Sequence, residues 1–262
     1  MAPEDRGDQD IQQIDWAYSP DQDAEGFPWG PHKLPLKISF EGMSLTVEES
    51  GEGYLYRRES PDKVVEKVIL AEKGNLQITP VEPFHLPVAI SNHLLIALEQ
   101  PVEIEPKAVK DILISFPLEL AVTIEGRKSG GQILDTFTLS KTKFSLYGTI
   151  KDGLVCKHWQ SAVYHSIPGI NPVKRGIMKL SLHNLSGRWA EIQKVVFSAQ
   201  GMKLYYSQDL VSLKANMKIL SESSAETSFT SEPLRKGMKK AVELYSARLL
   251  SIPAKTLMEE GY

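Results

Sequence analysis

The chain is poor in cysteine: Cys156 is the only one in 262 residues. No intramolecular disulfide is available, which excludes a small disulfide-stapled scaffold and points to a reducing, cytoplasmic setting. Long apolar runs are missing too. The best, His93-Leu94-Leu95-Ile96-Ala97-Leu98, falls far short of the ~20 residues that a membrane-spanning helix needs. The acidic start Met1-Ala2-Pro3-Glu4-Asp5 carries no signal-peptide pattern. The sequence also lacks a P-loop, a G-x-G-x-x-G after a strand, and H-E-x-x-H, C-x-x-C and G-x-S-x-G motifs. No fixed-period repeat or low-complexity tract appears. What remains is ordinary globular composition, 42% hydrophobic and 24% charged. The length suits one large β domain or two smaller ones.

The small net charge of −3 conceals segregation. Residues 1–33 hold eight acids against Arg6 and Lys33, and residues 81–125 carry seven acids against Lys107 and Lys110. Residues 141–203 reverse the sign, with ten bases against Asp152 and Glu191. Two readings follow. Acidic and basic strands pair across a sheet, or the basic segment presents a face to an anion, a nucleic acid or an anionic membrane. The first is expected, with outward Lys143, Lys179 and Lys194 lying near acids such as Glu99, Glu103 or Glu119.

Residues 1–33 show no apolar periodicity and several prolines and glycines, so they read as an acidic, irregular arm. Its aromatics, Trp16, Tyr18, Phe27 and Trp29, imply that the second half packs on the domain. From Leu34 the period becomes two. Leu34, Leu36, Ile38 and Phe40 alternate with polar residues, Glu41-Gly42 makes a turn, and Met43, Leu45 and Val47 alternate on the return. Further strands are expected at 54–58, 64–71, 94–98, 112–116, 118–124, 133–139, 143–147, 154–159, 177–183, 192–197, 202–206 and 211–219. In Leu118–Ile124, Leu118, Leu120, Val122 and Ile124 form a core face, opposite Glu119 and Thr123. Val211, Leu213, Ala215, Met217 and Ile219 point inward in the last strand. A helix is expected after Ser231, with Leu234, Met238, Val242, Tyr245 and Leu249 on one stripe and Pro253 ending it. The predicted fold is therefore mainly β, an antiparallel β-sandwich closed by one C-terminal helix. The predicted organisation is an arm at 1–33, a sandwich at 34–231 with a subdivision near 80–130, and a helix and tail at 232–262.

The densest cluster of reactive side chains is Cys156-Lys157-His158-Trp159, followed by Tyr164 and His165. In a strand, Cys156 and His158 share a face with Cβ atoms about 7 Å apart, too far for a thiol–imidazole hydrogen bond. A zinc site from Cys156, His158, His165 and His183 has suitable ligand types. Its spacing matches no compact metal motif, and no metal or cofactor is expected. Lys179, Lys194 and Trp159 complete the candidate ligand-binding set of His158, His165 and His183. Bases beside aromatics can stack nucleobases, but no RNA-recognition signature is present. Asn184-Leu185-Ser186 matches a glycosylation triplet, which a cytoplasmic setting makes irrelevant.

Three stretches carry a family resemblance. They are Pro80-Val81-Glu82-Pro83 through His85-Leu86-Pro87 into His93–Leu98; Lys141-Thr142-Lys143-Phe144-Ser145-Leu146-Tyr147-Gly148 through Gly153–Trp159; and Asn184–Phe197, leading to Tyr205-Tyr206. The pattern resembles an archaeal family of uncharacterised proteins, domain-of-unknown-function family four hundred and thirty-two, across residues 34–250. The resemblance implies an archaeal cytoplasmic protein and no particular reaction or catalytic residue. Related domains joined to mechanosensitive-channel sequences imply a regulatory or membrane-peripheral role.

Taken together, these readings favour a non-enzymatic binding, interaction or regulatory module. It would act through a protein partner or a second copy, with peripheral membrane association as a further option. A nucleic-acid partner is not expected. The alternatives are a metal-assisted hydrolase or lyase with a His-lined cavity, and anion, nucleic-acid or anionic-membrane binding through residues 141–203.

Overall fold

Alternation of apolar and polar residues places strands along almost the whole described chain. The structure, a computed structural model, describes residues 12–15, 29–71, 74–86, 90–125, 131–244 and 254–257. In chain order the strands are β1 (Gln12–Asp15), β2 (Gly30–Lys33), β3 (Leu36–Phe40), β4 (Met43–Ser50), β5 (Gly53–Ser60), β6 (Lys63–Ile69) and β7 (Asn75–Val81). These are followed by β8 (His93–Ile104), β9 (Val109–Pro117), β10 (Glu119–Glu125), β11 (Gln132–Phe137), β12 (Lys143–Tyr147), β13 (Leu154–Ser161) and β14 (Val163–Tyr164). The last are β15 (Arg175–Asn184), β16 (Ala190–Ser198), β17 (Tyr205–Tyr206), β18 (Val211–Ser221), β19 (Ser224–Phe229), β20 (Lys239–Lys240) and β21 (Ala254–Leu257).

The chain divides into two compact units. One comprises Met1–Ile78 and Ala121–Asp135, the other Thr79–Leu120 and Thr136–Tyr262. The first unit is built on a sheet of order β1-β3-β4-β5-β6, and a second sheet runs β11-β10-β7-β2. Its hairpin β3–β4 turns at Glu41-Gly42, where Gly42 has φ +77°, a left-handed conformation that glycine adopts without steric cost. Leu36, Ile38, Leu45 and Val47 are fully buried along one face of that hairpin. Tyr56 on β5 donates to Asp135 Oδ2 on β11 at 2.8 Å, and Arg58 Nε donates to the same oxygen at 2.5 Å. Burial and the Asp135 carboxylate push the Tyr56 phenol well above its ordinary range.

The second unit holds a sheet of order β12-β13-β8-β16 and a larger one of order β14-β9-β15-β18-β17-β20, with β19 joined to β18 and β21. Val211, Leu213, Ala215, Met217 and Ile219 are all buried on β18. The two sheets are stitched by side chains. Trp159 Nε1 donates to Ser115 Oγ at 3.1 Å, Ser115 N–H donates to Ser161 Oγ at 2.8 Å, and Thr227 Oγ1 donates to the Val196 carbonyl at 2.8 Å.

Several expectations are corrected. No helix is present among the described residues, so the expected C-terminal helix is absent over 232–244, and Tyr245 and Leu249 lie outside the described residues. Gly237 has φ +86°, incompatible with continuing a helix, and Lys239-Lys240 pair as a strand with Tyr205-Tyr206. Leu234 and Met238 are still partly buried, packed against Ile170, Ile177 and Leu210. Tertiary burial thus takes the apolar positions in an extended chain. The sheets are not purely antiparallel. β1–β3, β13–β8 and β15–β18 are parallel pairs, and the long connections from β8 to β13 and from β15 to β18 give room for such crossovers. The expected irregular arm ends earlier, because Gly30–Lys33 pairs with β7. Gln12–Asp15, also within that arm, pairs in parallel with β3, and residues 1–11 and 16–28 lie outside the described residues. Trp29 is half-buried. Finally, Glu119 does not face solvent. It is fully buried, as is Leu120 on the other face of β10.

Candidate functional site

Lys157 sits between two apolar residues on one face of its strand. Val155 and Trp159 flank it two residues away, and in register beside it lies Leu94 on β8. The Lys157 side chain is 5% exposed and the Glu119 side chain 1%. The Lys157 ammonium donates to Glu119 Oε1 at 2.6 Å, to the Pro83 carbonyl at 2.8 Å and to the Leu86 carbonyl at 3.1 Å. Glu119 in turn accepts from the His85 N–H at 2.9 Å and the Leu86 N–H at 3.2 Å. Three ammonium protons and both carboxylate oxygens are therefore satisfied. Burial pushes the Glu119 carboxyl above its ordinary range, against the pull of the Lys157 ammonium and the His85 N–H. Beside this pair, Glu82 lies 3.4 Å from His85 Nε2 and accepts from the Leu244 N–H at 3.3 Å. The cluster ties residues 82–86 to β13 and the start of β10. With its hydrogen bonds turned inward, it serves as a fastening for that segment.

The structure scatters the sequence-derived candidates. Cys156 is buried in an apolar cluster with Leu95, Tyr147 and Val196. Burial pushes its thiol up to about 11, which disfavours the nucleophilic thiolate. His158 is half-buried on β13, paired with Lys143 on β12 and Leu95 on β8. Burial, then the Lys143 and Lys194 ammonium groups, hold its imidazole below the ordinary range. His165 is exposed just beyond β14. His183 lies at the far end of β15, beside Val109 and Lys218, in the other sheet. Among the described residues, no group of three or more His, Cys, Asp or Glu side chains is placed to hold a metal ion. Trp159 is half-buried with its indole N–H bonded to Ser115. Lys179 pairs with Asp111 at 2.7 Å, and Lys194 is exposed on β16 opposite Ala97. Asn184 is fully buried, and its amide nitrogen donates to the carbonyls of Ile104, Glu105 and Arg188, holding the 184–188 loop.

Sequence reasoning missed both the Glu119–Lys157 pair and one exposed edge. The outer edge of β12 has no strand beside it among the described residues. Phe144, Leu146 and Val155 share one face of the β12–β13 hairpin, with Leu146 directly opposite Val155. They are 39%, 45% and 45% exposed. On the same face, on β8 and β16, Leu94, Ile96 and Phe197 are almost completely buried. The apolar core surface thus runs out into solvent at this edge. Ile150, in the turn between the two strands, is 94% exposed.

Residues 28–260 match the family described as Protein of unknown function (DUF432). The chain belongs to this family. The DUF432 match takes in Glu82, His85, Glu119, Lys157 and the whole β12–β13 hairpin. No curated protein and no solved structure matches the chain.

Proposed function

We propose that this DUF432 protein is a non-enzymatic binding module, working in the cytoplasm of an archaeal cell on a β-sandwich scaffold, with the β12–β13 edge as its contact surface. The observation that carries this reading is the apolar row Phe144, Leu146 and Val155, exposed beside a strand edge that has no partner strand among the described residues. Natural sheets blunt free edges with charge, proline, bulges or a covering segment, because unpaired N–H and C=O groups recruit another strand. Burying three large side chains on a partner would supply several kcal/mol at roughly 25 cal/mol per Å². The edge of the first unit offers a contrast. On β6, Val64 and Val68 are exposed as well. There Lys63, Glu66 and Lys67 interleave with them, and Arg57 pairs with Glu66 at 3.1 Å. Mixed charge of this kind blunts an edge.

The test is selection of a random peptide library on the immobilised protein. Enriched peptides should lose binding to Leu146→Glu and keep it with Val64→Glu. Enrichment that ignores Leu146→Glu refutes this contact surface.

A further inference from the structure

We infer that the β12 edge accepts an extended acidic segment in which carboxylates alternate with apolar side chains, added as a further strand of the sheet. The inference rests on the binding reading above and names the partner's chemistry.

The two faces of β12 differ in character. Phe144 and Leu146 point to one face, where Val155 extends the apolar row. Lys143 points to the other face, directly opposite His158. A strand laid beside β12 places successive side chains on alternate faces. Its apolar residues would cover Phe144 and Leu146, and its alternate residues would stand beside Lys143. Ser145 and the buried Tyr147 share that face with Lys143, and the charge around the hairpin is predominantly positive. Lys141, Lys143 and Lys151 are exposed and make no ion pair among the described residues, while Asp152 in the turn is the one acid of the hairpin.

A positive rim around an apolar strip selects for carboxylates in the partner and speeds its arrival. A second copy of the chain fits less well. Pairing β12 with another β12 would bring two sets of these lysines together, and like charges facing one another are repulsive. Strand addition takes affinity from main-chain hydrogen bonds and specificity from alternate side chains. β12, with five residues, is long enough for that ladder.

The experiment is fluorescence anisotropy on the full chain with three labelled peptides: alternating Glu and Val, alternating Lys and Val, and the Glu/Val peptide with alternate backbone nitrogens methylated. The Glu/Val peptide should bind saturably and at least roughly tenfold more tightly than the Lys/Val peptide. Its binding should weaken with added salt as screening rises. Backbone methylation and Leu146→Glu should each abolish it, and Lys143→Glu should shrink the preference for the acidic peptide. Circular dichroism confirms that the variants fold, which their exposed positions favour.

Equal binding of the acidic and basic peptides, indifference to backbone methylation, or no binding overturns the inference. So does a concentration-dependent dimer in light scattering that Leu146→Glu dissolves, since a second copy would then hold the edge. If library selection yields Leu146-dependent peptides that are not acidic, the partner class falls while the binding surface stands.

Discussion

Replacing Lys157 with Met tests the buried pair and its electrostatics together. Met keeps nearly the length and bulk of the lysine stem and removes only the ammonium. Glu119 then loses its cation, and the Pro83 and Leu86 carbonyls lose the donor that reaches them at 2.8 and 3.1 Å. Removing one member of a buried pair costs about 3–5 kcal/mol, and the near-complete burial of both side chains places this pair in that class. The penalty should depend on pH, with a definite sign. In the unfolded chain the Glu119 carboxyl titrates near its ordinary 4.5, and in the folded protein it titrates higher. Between the two values the native state holds more protons, so this group's contribution to stability is present below the window and is lost as pH rises through it. Lys157→Met leaves the desolvation in place and removes the strongest opposing pull, so the window extends upward. The cost of the substitution should therefore grow from acid toward neutral pH, by at most about 1.4 kcal/mol per pH unit. Guanidinium unfolding of both proteins at about pH 5 and about pH 8, followed by tryptophan fluorescence, measures it. Hydrogen exchange of the β13 amides assigns the loss to the second unit. In a Glu119→Gln background the same substitution should cost less and show no such pH trend. A penalty that is flat in pH, or unchanged by Glu119→Gln, refutes the account.

In the first unit, Asp135→Asn leaves Tyr56 and Arg58 without their shared carboxylate and should cost about 3–5 kcal/mol in chemical unfolding, with Tyr56→Phe costing about 1.5–3 kcal/mol; equal small effects would mean that the bonds at 2.8 and 2.5 Å contribute little. Cys156 should resist a disulfide reagent such as Ellman's until denaturant is added, because the thiol is buried and its ionisation is pushed up to about 11; rapid modification of the native protein would contradict that burial. Asn184→Ala strips three carbonyls of a buried donor and should cost about 2–4 kcal/mol, read as a lowered melting temperature; an unshifted melt would assign the 184–188 loop to its backbone contacts alone.

Period-two patterning made most of the sheet legible, because it reports one property, a dry face opposite a wet one. β12 was readable to the residue, and the inward set of β18 was readable in full. The same logic misplaced Glu119, since β10 is buried on both faces and no wet face exists there for an acid to mark. A signal was present nonetheless. Leu118–Ile124 is almost continuously apolar, and Lys157 interrupts an apolar row of Val155 and Trp159. A lone charge on each of two such faces implies that the charges meet. The C-terminal segment failed for a different reason. Leu234, Met238 and Val242 keep helical spacing, but Gly237 in the left-handed region and pairing with Tyr205-Tyr206 decide the backbone. Short strands such as β14, β17 and β20 have too few residues to show any period, so they exist only through their partners. The exposed edge was invisible for a related reason: alternation says which residues share a face and cannot say where a sheet stops.

The buried pair and the open edge are mechanically connected. Lys157 stands in register with Phe144 across the β12–β13 ladder. The ammonium that fastens residues 82–86 also fixes the strand on which β12 is carried. Among the described residues β12 has one strand neighbour, β13, and its best buried side chain is Tyr147 at its end, packed with Leu95, Cys156 and Val196. An edge strand that frays must be ordered again each time a partner adds to it, at roughly 1–2 kcal/mol of backbone entropy per residue. Anchoring β13 through three ammonium hydrogen bonds removes much of that cost in advance, which is the advantage of a preorganised surface. A buried ion pair seldom adds net stability over an apolar pair of similar volume. Its value here is positional. It holds ready an edge that no strand among the described residues covers.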